Sequence, residues 1–416
     1  MTKLKTAGPA GWALVGSALC LLLAGDVVVT YYAFTSRFPG ANDFASRWGG
    51  ARAFWRDGLS PYSDEATRQI QLLIYGRSIP PEEEQQYDPG PFAYPFFTVF
   101  LLFPLVWLPY AWAESVWLVL LEVFLVLGVL LSARLARWRM PAWLLVCTLV
   151  WSLTFYPDAR ALILGQFSVF VFAMVASTLW ALGGRRDKLA GICLALSTVK
   201  PQMVFLLVPL MLAWALVSRR YRFIAFFLGA IGLLLGLSWL LEPAWASEFI
   251  SQVERYPSYT AIGSPIWIVA HSLIPILGSL GEWALTGLAL LYLAIAAYRS
   301  LSDRGGVISL WLVGLCLIVT NLVALRTATS NYVVLLLPLA MVFAAVHRYR
   351  RGPWLVLLLQ SALLVGMWGH FLITVEGKFE HPAVYLPLPL ALLVVFALGR
   401  HWIEVGCAGR EVVEGG

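Results

Sequence analysis

Charge is what this sequence has least of. Asp, Glu, Lys and Arg make up 12% of its 416 residues and 60% are hydrophobic, where a soluble domain carries about 25% charge. That shortage over so long a chain excludes an ordinary soluble protein. The net charge of +6 is scattered in small clusters, with no basic block interleaved with aromatics, so nucleic acid is excluded as a partner. Cysteine and histidine are scarce as well, five of each. There is no Cys-x-x-Cys pair and no zinc spacing, so neither a metal nor a cofactor is expected. Cys20, Cys147, Cys193 and Cys316 fall in apolar runs and Cys407 near the end, which suits small core hydrophobes. The chain also lacks a P-loop, a Gly-x-Gly-x-x-Gly followed by an acid, and a Gly-x-Ser-x-Gly, which argues against nucleotide-driven chemistry and serine hydrolysis. No long-period repeat and no low-complexity segment interrupts it.

Apolar runs fill the space that charge leaves, many near the ~20 residues that cross a hydrocarbon core. A transmembrane β-barrel would instead alternate over ~10-residue segments. The expected fold is all-α and polytopic, with about twelve transmembrane helices at 10–33, 111–133, 141–157, 164–183, 188–199, 201–218, 221–241, 282–299, 307–325, 330–347, 353–374 and 383–402. The first run exceeds the 7–15 residues of a signal-peptide core and reads as a retained helix. Basic clusters stand at "TKLK", "RLARWR", "RRDK", "RRYR", "RSLSDR" and "HRYRR". If these face the cytoplasm, both termini are inside and the long segments 34–94 and 242–281 are external. Residues 1–402 then form one transmembrane domain, and 403–416 a short cytoplasmic tail. Two apolar stretches, 95–109 and 264–277, are short and proline-punctuated and read as external re-entrant or interfacial segments.

The polar residues worth weighing cluster on that external side. In "NDFASRWGGARAFWRDGLSPY", Asn42 can cap a helix beginning at Asp43. Phe44, Trp48, Ala51 and Trp55 share one face, which predicts an amphipathic helix lying on the membrane with its tryptophans at headgroup depth. Two roles are open to Asp43: a helix-start acid favoured by the dipole, or a functional carboxylate held above the bilayer where a lipid-borne substrate presents its headgroup. Arg160 and Gln166 follow the third expected span, Lys200 sits at a helix break before Pro201, and Arg326 stands between two later spans. Cations beside membrane helices are expensive and tend to be functional. Converging on one cavity they suit an anion such as phosphate; snorkelling to headgroups is the alternative. His271 suits a base, a sugar contact or a hydrogen-bonded structural role.

Taken in order, "DFASRWGGARAFWRDGLSPY", "FAYPFFTVFLLFPLVWLP" leading to "AESVW", "GQFSVFVF" and "LAGICLALSTVKPQMVFLLVPLML" resemble glycosyltransferase family 87 of the GT-C superfamily, which includes polyprenol-phosphate-mannose-dependent α-1,2-mannosyltransferases. The resemblance implies a GT-C fold in the cell membrane and a polyprenyl-phosphate-linked sugar as donor. It also implies a glycolipid or glycan acceptor and chemistry on the external face. Asp43 takes the role of general base, and Lys200, Arg326 and Arg160 that of donor-phosphate ligands. Gln166, Tyr62, His271, Asn331 and Tyr332 would contact sugar or acceptor. Two departures stand out: the usual Tyr-Pro-Pro is Tyr94-Pro95-Phe96, and a His-Tyr pair common in the late external loop is Asn331-Tyr332. The competing expectations are a lipid-linked-sugar transporter or flippase and a non-catalytic protein of the same fold.

Overall fold

The computed structural model describes residues 9–38, 42–83, 87, 90–259, 263–302, 308–325, 327–375 and 380–408. Among them there is no strand. The chain is built from α1 (Pro9–Thr30), α2 (Asn42–Asp57), α3 (Asp64–Tyr75), α4 (Thr98–Leu102), α5 (Tyr110–Leu135), α6 (Ala142–Thr154) and α7 (Tyr156–Ile163). After these come α8 (Phe167–Gly183), α9 (Asp187–Ser197), α10 (Leu207–Val217), α11 (Tyr221–Leu241), α12 (Trp245–Tyr259) and α13 (Pro265–Ile268). The last are α14 (Gly278–Ser302), α15 (Leu310–Val323), α16 (Leu336–His347), α17 (Gly352–Thr374), α18 (Pro387–Leu398) and α19 (Arg400–Ala408).

Six helical stretches among the described residues are long and apolar enough to cross a membrane: Ala13–Thr35, Tyr110–Leu135, Tyr221–Leu241, Pro275–Ser302, Thr329–His347 and Gly352–Thr374. Two bent pairs, α6 with α7 at 57° and α18 with α19 at 87°, bring the number to eight if each is one span. This multi-pass helical architecture falls short of the twelve spans expected from apolar runs. The expected pair 188–199 and 201–218 forms α9 and α10, 11 residues each, about 17 Å at 1.5 Å per residue. The shorter apolar helices α8, α10 and α15 fall below the ~20 residues that cross a hydrocarbon core, and an apolar helix wrapped in protein need not match the bilayer. Every residue of α15 from Trp311 to Leu322 is buried, and its neighbours α10, α14, α16 and α18 surround it.

The basic clusters coincide with a repeated helix stop. Arg137, Arg185 and Arg219 adopt left-handed φ of 50°, 55° and 55° just beyond α5, α8 and α10. The next residue's N–H then reaches back five residues, Trp138 to Ala133, Arg186 to Ala181 and Arg220 to Ala215, each at 2.8 Å. This is the Schellman arrangement, built on arginine instead of glycine. At the other end α1 is peripheral, with none of its spanning window buried. It packs on α5, and the π turn that follows it, Tyr31–Thr35, is clamped there: Tyr31 stacks on Trp112 at 3.9 Å and the Thr35 hydroxyl donates to the Ala111 carbonyl at 2.9 Å.

Residues 42–83 fold into a cap. The aromatic face of α2, expected to lie on lipid, is covered by protein: Phe44, Trp48 and Ala51 are buried. Trp48 Nε1 donates to the Leu105 carbonyl at 2.9 Å and Trp55 Nε1 to that of Val99 at 3.0 Å. Indole N–H groups in an apolar setting need acceptors, and the irregular 95–109 segment supplies them. That segment is α4 followed by a 3₁₀ turn at Phe103–Leu105, far too short to cross. Helix α3 packs on α2, with the Ser63 hydroxyl accepting from Ala66 N–H at 3.2 Å as its cap. The two long loops touch where Ser60 Oγ donates to Glu248 of α12 at 3.1 Å. At the far end α19 runs through the expected boundary at 402 and docks on α16, with Ile403 fully buried.

Candidate active site

Asp43 occupies the first turn of α2, where the helix dipole favours an anion. Its Oδ1 pairs with Arg47 Nη1, one turn on, at 3.1 Å. Its Oδ2 accepts from the side-chain amide of Gln166, whose carbonyl oxygen accepts from Lys200 Nζ. Acid, amide and ammonium therefore form one chain across residues 123 and 34 positions apart in sequence. Both ends fix the Gln166 amide: its NH₂ faces the acceptor-only carboxylate and its oxygen the donor-only ammonium.

Local sequence explains each placement. Gly165 takes φ +62° after α7, and Gln166 N–H returns to the Ala161 carbonyl at 2.9 Å. The chain thus reverses between α7 and α8, leaving Gln166 at the start of α8. The Gln166 side chain does not cap its own helix, so its amide is available to Asp43. Lys200 is extended, φ −126° and ψ 78°, as a residue before proline must be. That break between α9 and α10 lies outside the spanning stretches. Burial, then the nearby Arg47 charge, push the Lys200 ammonium down to about 7, with Asp43 acting in the opposite sense.

Arg47 is held by more than its ion pair. Its guanidinium carbon lies 4.5 Å from the centre of the Tyr94 ring, and Nη1 also donates to Ser46 Oγ at 3.1 Å. Tyr94 is in turn fixed by Tyr62, whose hydroxyl donates to the Tyr94 carbonyl at 2.6 Å. Arg160, on α7, pairs through Nε with Glu380 at 3.3 Å and also feels the charge of Asp43. Accessibility is graded: the side chains of Asp43 and Arg160 are 26% and 28% exposed, while Gln166 and Lys200 are buried behind them. An anion entering from the open side would meet Asp43 and Arg160 first. Two small cavities lie elsewhere, one against α16 and α19 and one between α5, α6 and α16.

The other expected residues are placed as follows. Asn331 and Tyr332 lie in a 3₁₀ stretch, Thr329–Leu335, that packs on α7. Tyr332 donates to the Tyr385 carbonyl at 2.8 Å, and Asn331 Nδ2 to Thr327 at 3.3 Å. His271 is hydrogen-bonded to Glu282 at 2.9 Å and stacked on Trp267, partners remote in sequence from the Asp43 chain. Arg326 and the side chain of Asn42 lie outside the described residues. Among the described residues no three of His, Cys, Asp and Glu gather as a metal site. Sequence reasoning missed Arg47 and Glu380. The four-residue spacing of Asp43 and Arg47 was the signal for the first; Glu380 had none.

Residues 92–265 match the model of glycosyltransferase family 87. The matched segment is less than half of the chain, and it contains Tyr94, Arg160, Gln166 and Lys200; Asp43 and Glu380 fall outside it. A family-87 match indicates a glycosyltransferase, and with several membrane-crossing helices the setting is a lipid bilayer. No curated protein and no solved structure matches the chain.

Proposed function

We propose that the protein is an integral-membrane inverting glycosyltransferase. It moves a hexose, mannose by family resemblance, from a polyprenyl-phosphate sugar to a lipid or glycan acceptor on the external face of the cell membrane. The observation that supports this best is the single hydrogen-bonded chain from Asp43 through Gln166 to Lys200, with Arg160 beside it. It sets one carboxylate against cations of two kinds. An inverting transfer from a lipid phosphate needs that pairing: a base for the acceptor hydroxyl and positive charge for the departing phosphate.

In the reaction the acceptor oxygen attacks the anomeric carbon and the bond from that carbon to the phosphate oxygen breaks. The hydroxyl proton passes to Asp43, and the polyprenyl phosphate leaves with the electron pair. Carboxylate oxygens carry about four lone-pair sites, so bonds to Arg47 and Gln166 leave Asp43 room to accept. A base in this role contributes about 10²–10⁴-fold. Lys200 and Arg160 stabilise the phosphate as its charge grows, the electrostatic part of the rate. One displacement inverts the anomeric centre, so a β-linked donor gives an α-glycoside.

The test is transfer from a panel of polyprenyl-phosphate sugars to a membrane-lipid extract, with products detected by mass spectrometry. Asp43→Asn is expected to lose at least about 100-fold in turnover while inserting normally; near-wild-type turnover removes Asp43 as base. A second reading, a transporter for the same lipid, draws on the 57° break between α6 and α7, since broken helices line transport sites. Wild-type protein that moves labelled lipid across vesicles while forming no new glycoside would favour it.

A further inference from the structure

Glu380 is the most heavily engaged side chain near the site. It is buried and follows α17. Its Oε1 accepts from the hydroxyls of Tyr156 and Thr329, and Oε2 from that of Tyr385 at 2.6 Å. Arg160 Nε stands 3.3 Å from Oε1. These partners come from the start of α7, the 3₁₀ stretch after residue 328, and the turn before α18, so one carboxylate joins three distant segments. With both oxygens already accepting, Glu380 is poorly placed to take a proton from a substrate. A buried carboxylate is costly unless paired and hydrogen-bonded, and among the described residues this one is paired with Arg160.

That cation has a second carboxylate within electrostatic reach, Asp43. The contact is an ion pair without a hydrogen bond at Nε, and because a guanidinium is a rigid planar fork, anchoring its Nε side by charge limits where its Nη groups can point. Without Glu380 the Asp43 charge would still act on Arg160, drawing the cation toward the proposed base and away from the phosphate. We propose that Glu380 is a positioning residue that holds Arg160 off Asp43 and aims its fork at the donor phosphate. This rests on the glycosyltransferase reading above.

The experiment measures donor KM, kcat and polyprenyl-phosphate binding for purified full-length wild type, Glu380→Gln, Arg160→Gln and the double variant, with thermal stability followed in parallel. The amide keeps an acceptor for the hydroxyls but loses the charge. Glu380→Gln is expected to raise donor KM and weaken polyprenyl-phosphate binding about tenfold, roughly one lost charge-assisted contact, with the double variant no worse than Arg160→Gln alone. Losses that multiply in the double variant overturn the proposal, because Glu380 would then act by another route. Tyr385→Phe removes a hydroxyl and no charge; it should lower stability and leave donor KM near wild type, and a KM change as large as that of Glu380→Gln also counts against the proposal. If Glu380→Gln does not fold, Arg160→Lys decides: a point charge without the planar fork should bind donor as poorly as Arg160→Gln, and wild-type binding by Arg160→Lys overturns the idea. Wild-type protein that neither transfers sugar nor binds polyprenyl phosphate removes the donor reading and this proposal together. An active wild type indifferent to Glu380→Gln removes this proposal alone.

Discussion

At the scale of single residues, the site is a short electrostatic sequence: Glu380 to Arg160, then Asp43, Gln166 and Lys200, with Arg47 on the near side of Asp43. Lys200 adds a pH dependence whose sign is fixed. Burial destabilises its charged form and brings its titration to about 7, so raising pH through that value removes the cation. The phosphodiester of the donor keeps its charge throughout. In the wild type kcat/KM for donor, which reports the free enzyme, should therefore fall about fivefold between roughly pH 7 and pH 8. Lys200→Gln should be slower at pH 6.5 and lack this fall. An identical alkaline fall in Lys200→Gln would assign the titration to another group.

At the scale of elements, the Asp43 helix and the Gln166 turn are kept together by close packing at Gly165. A Cβ there would lie 2.6 Å from Phe44 Cβ, and the backbone is left-handed, which costs an L residue about 1–2 kcal/mol. Trp117 Nε1 secures the same turn by donating to the Gly165 carbonyl at 2.9 Å. Gly165→Ala should destabilise by about 2–4 kcal/mol, strain plus overpacking, and lower kcat by moving Gln166 off Asp43. Gly183→Ala is the control, since a Cβ at Gly183 meets nothing within 4 Å. Thermal denaturation and turnover in nanodiscs decide it; equal behaviour of the two variants would mean that the turn does not seat α2. Helices α9 and α11 approach by the same device, with the Phe223 carbonyl 2.6 Å from where a Gly191 Cβ would stand.

At the scale of the whole molecule, the arginine-ended helix stops and the loop-borne site lie in sequence regions that alternate along the chain. If the arginine ends are cytoplasmic by the positive-inside rule, the cap formed by residues 42–83 is external. A version with its native cysteines replaced should, with Glu65→Cys, react with an impermeant maleimide on intact cells. Arg222→Cys should react only after permeabilisation. The reverse pattern would place the site in the cytoplasm and remove the external-face reading.

What the sequence determined by itself is whatever depends on local composition. Scarce charge and long apolar runs set an all-helical membrane protein, the spacing of Phe44, Trp48 and Ala51 set α2, and the pre-proline position of Lys200 set its break. Asp43, Gln166, Lys200 and Arg160 were each legible as polar groups in unusual surroundings. Tertiary structure alone decided which of them meet, because a hydrogen bond between residues 43 and 166 leaves no periodic trace. It also decided that the aromatic face of α2 rests on protein, since burial depends on what folds back over a helix. Glu380 was invisible for the same reason: a lone acid in a loop looks solvated until three hydroxyls and an arginine from elsewhere close around it.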